Sequence, residues 1–243
     1  MPTVVIAYDL SGDSTIEQNV LQAIEGVNIV TVKNLASPEG QEAAGHADAL
    51  MVTIQEVSAD LIARMPNCRI ISRVGTGLHA INIPAATEHQ VWVTNVPDYS
   101  IDEVSTHAIT LLLMFARSMN DLLQSVQDKR WWDPTRIRPV QRLKGQTLGI
   151  VAYGRIGQAL ATKAKGLGLN VVVYDPYLSP ERMQADGVQA VDFATLLSTS
   201  DYISLHAPLT DSTRNIMNAA ALAQMKPTAF LINTARGPLV DEE

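Results

Sequence analysis

The stretch LGIVAYGRIGQAL, residues 148–160, predicts a strand, a tight turn and the start of a helix in direct succession. Between the apolar run and the helical residues, Gly154 and Gly157 take two positions of the G-x-G-x-x-G nucleotide-binding pattern. Ala152 stands in place of the first glycine. A phosphate at such a turn meets unpaired N–H groups and the positive end of a helix dipole. The stretch therefore predicts a site for the pyrophosphate of a dinucleotide.

Each small residue of this turn has its own role. Gly154 lets the backbone approach the pyrophosphate, and Gly157 lets the helix pack close to the strand. Ala152 adds one methyl group, which is excluded only where φ is positive. We expect Ala152 to be tolerated with some loss of fit.

A carboxylate follows at the distance that a dinucleotide site requires. Asp175 ends the apolar run of residues 170–174 and lies 18 residues after Gly157. An acid at this place accepts the two ribose hydroxyls of NAD and repels the 2′-phosphate of NADP. We predict NAD as the cofactor. The alternative is a βαβ unit that binds no nucleotide.

Short apolar runs alternate with helical stretches along the whole chain, which is typical of a parallel sheet with helices on its faces. The candidate strands are residues 4–7, 29–32, 49–53, 70–73, 91–94, 148–152, 171–174, 188–191, 202–205 and 230–232. The pattern predicts an α/β protein with one domain over residues 1–98 and a second over residues 147–243.

A helix and a connecting arm are predicted between these domains, over residues 99–146. The helix covers residues 101–127 and is apolar nearly all round at its centre. Such a helix is buried either between two domains or against a second subunit. The arm contains Trp131, Trp132 and four arginines. We interpret the arm as solvated charge beside packed tryptophans, rather than as a phosphate site.

Composition excludes several classes of function. The 243 residues carry a net charge of −7, which argues against a nucleic-acid or anionic-membrane surface. With one cysteine, Cys68, no internal disulfide forms, and a reducing compartment fits. No signal peptide or membrane-spanning run is evident, and we expect a cytoplasmic protein without a metal site.

Several stretches together resemble the D-isomer-specific 2-hydroxyacid dehydrogenases, and within them the C-terminal-binding-protein-like and phosphoglycerate-dehydrogenase-like branch. They are RVGTGLHAINI (73–83), VTNVPDYSIDEVSTHA (93–108), LKGQTLGIVAYGRIGQAL (143–160), VVVYDPYL (171–178), DYISLHAPLTDSTRNIMN (201–218) and FLINTARGPLVDEE (230–243). The resemblance implies a flavodoxin-like substrate domain followed by a doubly wound Rossmann sheet. It also implies an NAD-dependent oxidoreductase that transfers a hydride between NAD(H) and a small D-2-hydroxy acid or 2-keto acid.

The resemblance also assigns roles to residues. Arg236 matches the family's catalytic arginine, which grips the substrate carboxylate and polarises the carbonyl group with a two-pronged donor geometry. Gly75, Thr76 and Gly77 match the backbone that binds the substrate carboxylate. The positions that match cofactor contacts are Thr76, Tyr153, Gly154, Arg155, Ile156, Gly157, Asp175, Ala207, Pro208, Thr213, Thr234, Ala235 and Arg236.

Other interpretations of these residues stay open. Gly75 and Gly77 suit an ordinary turn, Arg236 suits a surface position, and Thr213 suits a helix cap. Four positions depart from the family pattern: Ala152 replaces a glycine, His79 and Asn82 stand where aspartates are usual, and Thr106 takes a position that is often acidic.

The resemblance places a glutamate and a proton-donating histidine further along the family's sequence than Glu243. None of the five histidines matches that donor, and we interpret His206 as a packed histidine. We therefore expect a C-terminally truncated family member with an incomplete Rossmann sheet and little dehydrogenase activity. We also expect a homodimer through the helix 101–127. The alternative function is an NAD(H)-sensing, corepressor-like scaffold that binds peptides without turnover.

Overall fold

The computed structural model describes residues 1–8, 14–129, 135 and 140–243. The described residues fold into two compact units, Met1–Tyr99 and Ser100–Glu243. Trp131 and Trp132 of the predicted arm lie outside the described residues. Among those that are described, no helix is both long enough and apolar enough to cross a membrane.

The first unit is a parallel sheet with strand order β2-β1-β3-β4-β5. Its strands are β1 Thr3–Ala7, β2 Asn28–Val32, β3 Ala49–Val52, β4 Ile70–Arg73 and β5 Trp92–Thr94. Its helices are α1 Thr15–Gln22, α2 Pro38–Gly45, α3 Ala59–Ala63 and α4 Ile83–Glu88. This order is that of flavodoxin-like folds, as predicted. The inner strands carry fully buried apolar side chains such as Val5, Leu50 and Ile71, which accounts for their continuous apolar runs.

The second unit contains a parallel sheet with strand order β10-β9-β6-β7-β8. Its strands are β6 Thr147–Val151, β7 Asn170–Tyr174, β8 Gln189–Ala190, β9 Tyr202–Leu205 and β10 Phe230–Asn233. Its helices are α5 Ile101–Ala116, α6 Met119–Lys129, α7 Arg155–Gly166, α8 Pro180–Ala185, α9 Phe193–Thr199 and α10 Ala219–Leu222. The chain winds outward from β6 in one direction and then returns to build β9 on its other side. This reversal is the switch point at which doubly wound sheets bind ligands.

The predicted α/β class is confirmed, and every predicted strand agrees with the structure to within one residue at each end. The strands were predictable because those at the sheet centres are buried on both faces, so that their apolar runs are short, continuous and bounded by polar residues.

The prediction of one helix over residues 101–127 is wrong. The segment forms two helices, α5 and α6, which are separated by Arg117 and Ser118. Ser118 has a φ of 48°, in the left-handed region, and its N–H donates to the Phe115 carbonyl group to end α5. Serine competes with helical hydrogen bonding through its own hydroxyl group, which favours a break at this position.

Helix α5 is part of the core of the second unit. Its buried positions follow a helical period and are Ser105, Ala108, Ile109, Leu112 and Ala116. The α5 residue Phe115 stacks on Phe230 of β10, with 4.8 Å between ring centroids. The N-terminal turn of α5 is joined to α7 because Lys163 Nζ lies 2.6 Å from Asp102 Oδ1. The apolar centre of this helix is therefore explained by packing inside one unit.

Candidate functional site

The glycine turn joins the carboxyl end of β6 to helix α7. The Ala152 N–H donates to the Tyr174 carbonyl group of β7 (2.9 Å), and the Tyr153 N–H donates to Asp175 Oδ2 (2.8 Å). Gly154 is the N-cap of α7 and has extended backbone angles. The ends of β6 and β7 and the start of α7 are thus connected through one three-residue segment, residues 152–154.

The start of α7 leaves several hydrogen-bond donors unused. Gly154 has no side chain to cap the helix, unlike the Ser179 and Asp192 side chains that cap α8 and α9. Within the described part of the chain, the N–H groups of residues 154–157 donate to no acceptor. Together with the helix dipole, these N–H groups form a site for an anion.

The two glycines of the turn differ in the space around them. A Cβ atom at Gly154 would meet no atom within 4 Å, so the open side of this residue is accessible to a ligand. A Cβ atom at Gly157 would lie 2.6 Å from the Ala152 carbonyl oxygen. Gly154 therefore borders open space, whereas Gly157 allows the helix to approach the strand, as the sequence predicted for Gly157.

Ala152 adopts the conformation that the sequence analysis named as unfavourable. Its φ is 71°, in the left-handed region that glycine occupies without strain. For an L-residue this region is less favourable by about 1–2 kcal/mol. The turn is therefore strained at Ala152.

The Asp175 carboxylate is half-buried at the carboxyl end of β7. Its Oδ2 accepts the Tyr153 N–H, and its Oδ1 accepts the Tyr177 N–H at 2.9 Å. A carboxylate has about four acceptor positions, so that both oxygens keep capacity for further donors such as ribose hydroxyls.

The end of β9 contains a side-chain pair that the sequence analysis did not identify. Ser204 is fully buried, and its Oγ lies 2.9 Å from Nε2 of His206. The His206 backbone N–H also donates to the Val151 carbonyl group at the end of β6. Burial lowers the pKa of His206 from 6.5 to about 4, so that the imidazole is neutral at neutral pH. This agrees with the interpretation of His206 as a packed histidine.

Thr213 closes the loop that follows His206. Its hydroxyl group donates to the Pro208 carbonyl group (2.6 Å) and accepts the Thr210 N–H (2.8 Å). No helix begins at Thr213 among the described residues, so the helix-cap interpretation is wrong. The hydroxyl instead fixes the shape of the loop that contains Ala207 and Pro208.

Arg236 follows β10 in a turn that is held by Asn233. The Asn233 side chain accepts the Ala235 N–H (3.0 Å) and donates to the Arg236 carbonyl group (2.8 Å). Arg236 is half-buried, and its Nη1 donates to the Ala235 carbonyl group (2.7 Å). Thr234 Oγ1 is buried without a hydrogen-bond partner among the described residues.

The first unit contains the predicted substrate loop, Gly75-Thr76-Gly77. The Gly75 carbonyl group accepts the Val96 N–H, and the Thr76 hydroxyl group donates to the Val96 carbonyl group. Gly75 has a φ of 152°, and a Cβ atom there would meet the buried guanidinium group of Arg73. The loop therefore requires glycine at residue 75. Asn82, one of the departures from the family pattern, caps α4 by accepting the Ala85 N–H.

The structure brings most of the predicted cofactor positions to one edge of the second sheet. Residues 152–157, Asp175, the 206–213 loop and residues 234–236 follow β6, β7, β9 and β10, at the carboxyl ends of parallel strands. The 75–77 loop lies at the equivalent edge of the sheet in the first unit. The sequence analysis did not identify Gln158, Asn233 or Ser204, because the hydrogen bonds of these side chains form only in the folded chain.

Residues 109–243, more than half of the chain, match the family model of the D-isomer specific 2-hydroxyacid dehydrogenase, NAD binding domain. The chain belongs to this family. It is 40% identical to a glyoxylate reductase of Thermococcus litoralis over 215 residues, which cover 85% of this chain and 65% of that protein. It is 35% identical to a D-3-phosphoglycerate dehydrogenase of Synechocystis sp. over 240 residues, covering 98% of this chain but 43% of that protein.

A solved structure agrees with this membership. A D-lactate dehydrogenase from Aquifex aeolicus, complexed with NAD and lactic acid, matches with a TM-score of 0.88 and 26% identity, over 98% of this chain and 70% of that one. The chain thus spans only part of the length of its relatives. The predicted family and the predicted cofactor, NAD, are confirmed.

The residues of the turn fit NAD. Unused N–H groups at residues 154–157 suit a pyrophosphate, the open side of Gly154 gives it room, and Asp175 retains acceptor capacity for a ribose.

We predict that Ala152→Gly stabilises the protein by about 0.5–1 kcal/mol. Glycine relieves the strain of the left-handed backbone, but its higher conformational entropy in the unfolded state offsets part of this gain. Urea unfolding measures the change. Ala159→Gly is the matched control, since Ala159 is also half-buried but lies inside α7. It should destabilise by about 1 kcal/mol. If both variants changed the free energy of unfolding in the same direction, the strain at Ala152 would be contradicted.

Gly154→Ala and Gly157→Ala should separate binding from stability. Gly154→Ala places a methyl group where the phosphate approaches, so we expect a fall in NADH affinity of at least about tenfold, with a change in stability below about 1 kcal/mol. Gly157→Ala forces α7 away from Ala152 and should lower the free energy of unfolding by about 1–3 kcal/mol. NADH fluorescence titration and thermal melting measure both. Similar effects of the two variants on both readouts would refute this division of roles.

His206 should make stability depend on pH. Its folded pKa of about 4 lies below the unfolded value of 6.5, so its contribution is complete above pH 6.5 and is lost as the pH falls towards 4. Between pH 7.5 and pH 4.5, the free energy of unfolding of His206→Gln should fall by roughly 2–3 kcal/mol less than that of the wild type. Urea unfolding between pH 4.5 and 7.5 tests it, with the exposed His107→Gln as control. An unchanged profile in His206→Gln would exclude the buried neutral imidazole.

Proposed function

We propose that the protein is an NAD-dependent oxidoreductase that transfers a hydride between NAD(H) and a small D-2-hydroxy acid or 2-keto acid. The observation that carries the proposal is the joint arrangement of the glycine turn, Asp175 and Arg236 at the carboxyl edge of one parallel sheet, inside the family's NAD binding domain. The relatives named above support this substrate class, because glyoxylate, 3-phosphoglycerate and lactate are all small 2-hydroxy or 2-keto acids.

The residues proposed to bind the cofactor are taken from the geometry of the turn and, for residues 207–235, from the family resemblance. The N–H groups of Gly154, Arg155 and Ile156 are free to donate to the pyrophosphate, and Tyr153 connects them to the strand. Asp175 accepts from the adenosine ribose, and Ala207, Pro208 and Thr213 flank the nucleotide. Thr234 and Ala235 line the nicotinamide. The buried, unpartnered hydroxyl of Thr234 supports this role, because a ligand donor or acceptor there would remove a penalty of about 1–3 kcal/mol.

Arg236 is proposed to hold the substrate. Its guanidinium group carries several donors in a planar fork, which matches a carboxylate and the neighbouring carbonyl oxygen. The Asn233 bonds fix the backbone on both sides of Ala235, so that Arg236 is presented by a rigid turn. Such fixed donors stabilise the negative charge that develops on the carbonyl oxygen. Bound NAD(H) would supply or accept the hydride.

From the family resemblance, the 75–77 loop is proposed to bind a substrate carboxylate through its backbone N–H groups. Bonds to Val96 and from Asn95 fix the loop, since Asn95 Nδ2 donates to the Thr76 carbonyl group at 2.7 Å. Thr76 is exposed, so its hydroxyl group and backbone are accessible to ligands. A loop fixed in this way loses little entropy on binding.

We further propose a homodimer through residues 101–127. Helix α6 supports this, because Met119, Leu123 and Val126 lie on one face of it and are 38%, 51% and 48% exposed. A cytoplasmic location is proposed from Cys68, which is buried as a free thiol. The peptide-binding, corepressor-like alternative is not supported by any observation on the described residues.

The proposed function is tested by the binding of the cofactor and of a substrate analogue. NADH should bind, and the protein–NADH complex should then bind oxamate, a 2-keto acid analogue that is not reduced. Arg236→Lys should leave NADH affinity within about twofold and weaken oxamate at least about tenfold, because it removes the two-pronged contact. Isothermal titration calorimetry measures both affinities.

Arg214→Lys is the control, because Arg214 is an exposed arginine of the same unit. If the protein fails to bind NADH, the proposed function is wrong. If oxamate binds equally well to the wild type and to Arg236→Lys, the role of Arg236 is wrong.

A further inference from the structure

Both backbone groups of Tyr153 are held by side chains. Its N–H donates to Asp175 Oδ2, and its carbonyl oxygen accepts from Nε2 of Gln158 at 3.0 Å. Gln158 lies in the first turns of α7, and its side chain therefore reaches back towards the turn that precedes the helix. Within the described residues, Gln158 is the only donor to the Tyr153 carbonyl group.

This bond sets the direction of the peptide group between Tyr153 and Gly154. In a trans peptide the C=O and the following N–H point in opposite directions. When Gln158 holds the Tyr153 carbonyl group on one side, the Gly154 N–H must point to the other. That N–H is one of the unused donors of the turn.

The backbone does not secure this orientation by itself. The peptide group between Tyr153 and Gly154 rotates about ψ of Tyr153 and φ of Gly154, and glycine restricts φ less than any other residue. The hydrogen bond from Gln158 to the Tyr153 carbonyl group opposes this rotation.

We infer that Gln158 is a positioning residue of the cofactor site, which orients the Tyr153–Gly154 peptide group so that the turn receives a pyrophosphate. The inference rests on the proposed cofactor site and adds a residue to it. Gln158 acts through the backbone and not by touching the nucleotide. Its effect should therefore be confined to ligands that contain phosphate.

Gln158→Met tests this, because methionine keeps the length and helix propensity of glutamine but cannot donate. We expect NADH and ADP to bind about three- to tenfold more weakly, whereas adenosine, which lacks phosphate and depends on Asp175, changes less than about twofold. Gln158→Glu at pH 7.5 should weaken NADH and ADP further, since a carboxylate cannot donate and repels phosphate. Calorimetry gives the three affinities, and thermal melting confirms folding. Gln158→Ala replaces Gln158→Met if the latter does not fold.

Gln224→Met is the matched control. Gln224 Nε2 also donates to a carbonyl group four residues earlier, that of Ala220 at 3.1 Å, in another helix. It should leave all three affinities unchanged. Equal losses for ADP and adenosine in Gln158→Met, or no loss for either, would overturn the inference. If the wild type binds neither NADH nor ADP, the cofactor site itself is wrong. If the wild type binds both and Gln158→Met binds them equally well, only the role of Gln158 is wrong.

Discussion

The hydrogen bond between the Tyr153 N–H and the Asp175 carboxylate is the contact on which the cofactor site depends. It is 2.8 Å long and joins residues 22 positions apart. One carboxylate thereby fixes the turn that is proposed to bind the pyrophosphate and keeps acceptor capacity for the ribose of the same nucleotide. The distance between the two binding elements is set by the pairing of β6 with β7, in which Val151 lies opposite Tyr174. A cofactor that spans both elements therefore meets a preformed surface, which limits the entropy that is lost on binding.

Much of this site could be predicted because its elements are local in sequence. A strand, a glycine turn and a helix follow one another directly in the sequence and together form a recognisable pattern. The acid after β7, Asp175, is found by its distance from Gly157. The strands were predicted closely for a related reason, since burial on both faces leaves a continuous apolar run. The family resemblance added Arg236, whose role no local pattern indicates.

The remaining features depend on the folded chain. The φ of Ala152 is decided by how β6 leaves the sheet towards α7, which is not visible in the residue itself. The bond from Gln158 to Tyr153 requires both the turn and the helix, and a glutamine on a helix surface carries no signal of it. The break at Ser118 was missed because the apolar residues on either side continue a helical pattern. The first two features depend on contacts between elements, whereas the break at Ser118 depends on a left-handed residue whose hydrogen bond to Phe115 is local.

The strain at Ala152 bears on how this chain carries its cofactor. A left-handed alanine is unfavourable by about 1–2 kcal/mol, a sizeable part of the 5–15 kcal/mol by which domains are usually stable. A ligand that binds only the folded state adds about 2.7 kcal/mol at a concentration of one hundred times its Kd. The nucleotide complex thus more than offsets the strain that the free turn bears. Asp175 and Gln158 bind the two backbone groups of the adjacent residue, Tyr153, directly before the N-terminus of α7, where the unused donors lie. An alanine at residue 152 is therefore compatible with a nucleotide site, because the side chains of Asp175 and Gln158 fix the backbone of the residue that follows it.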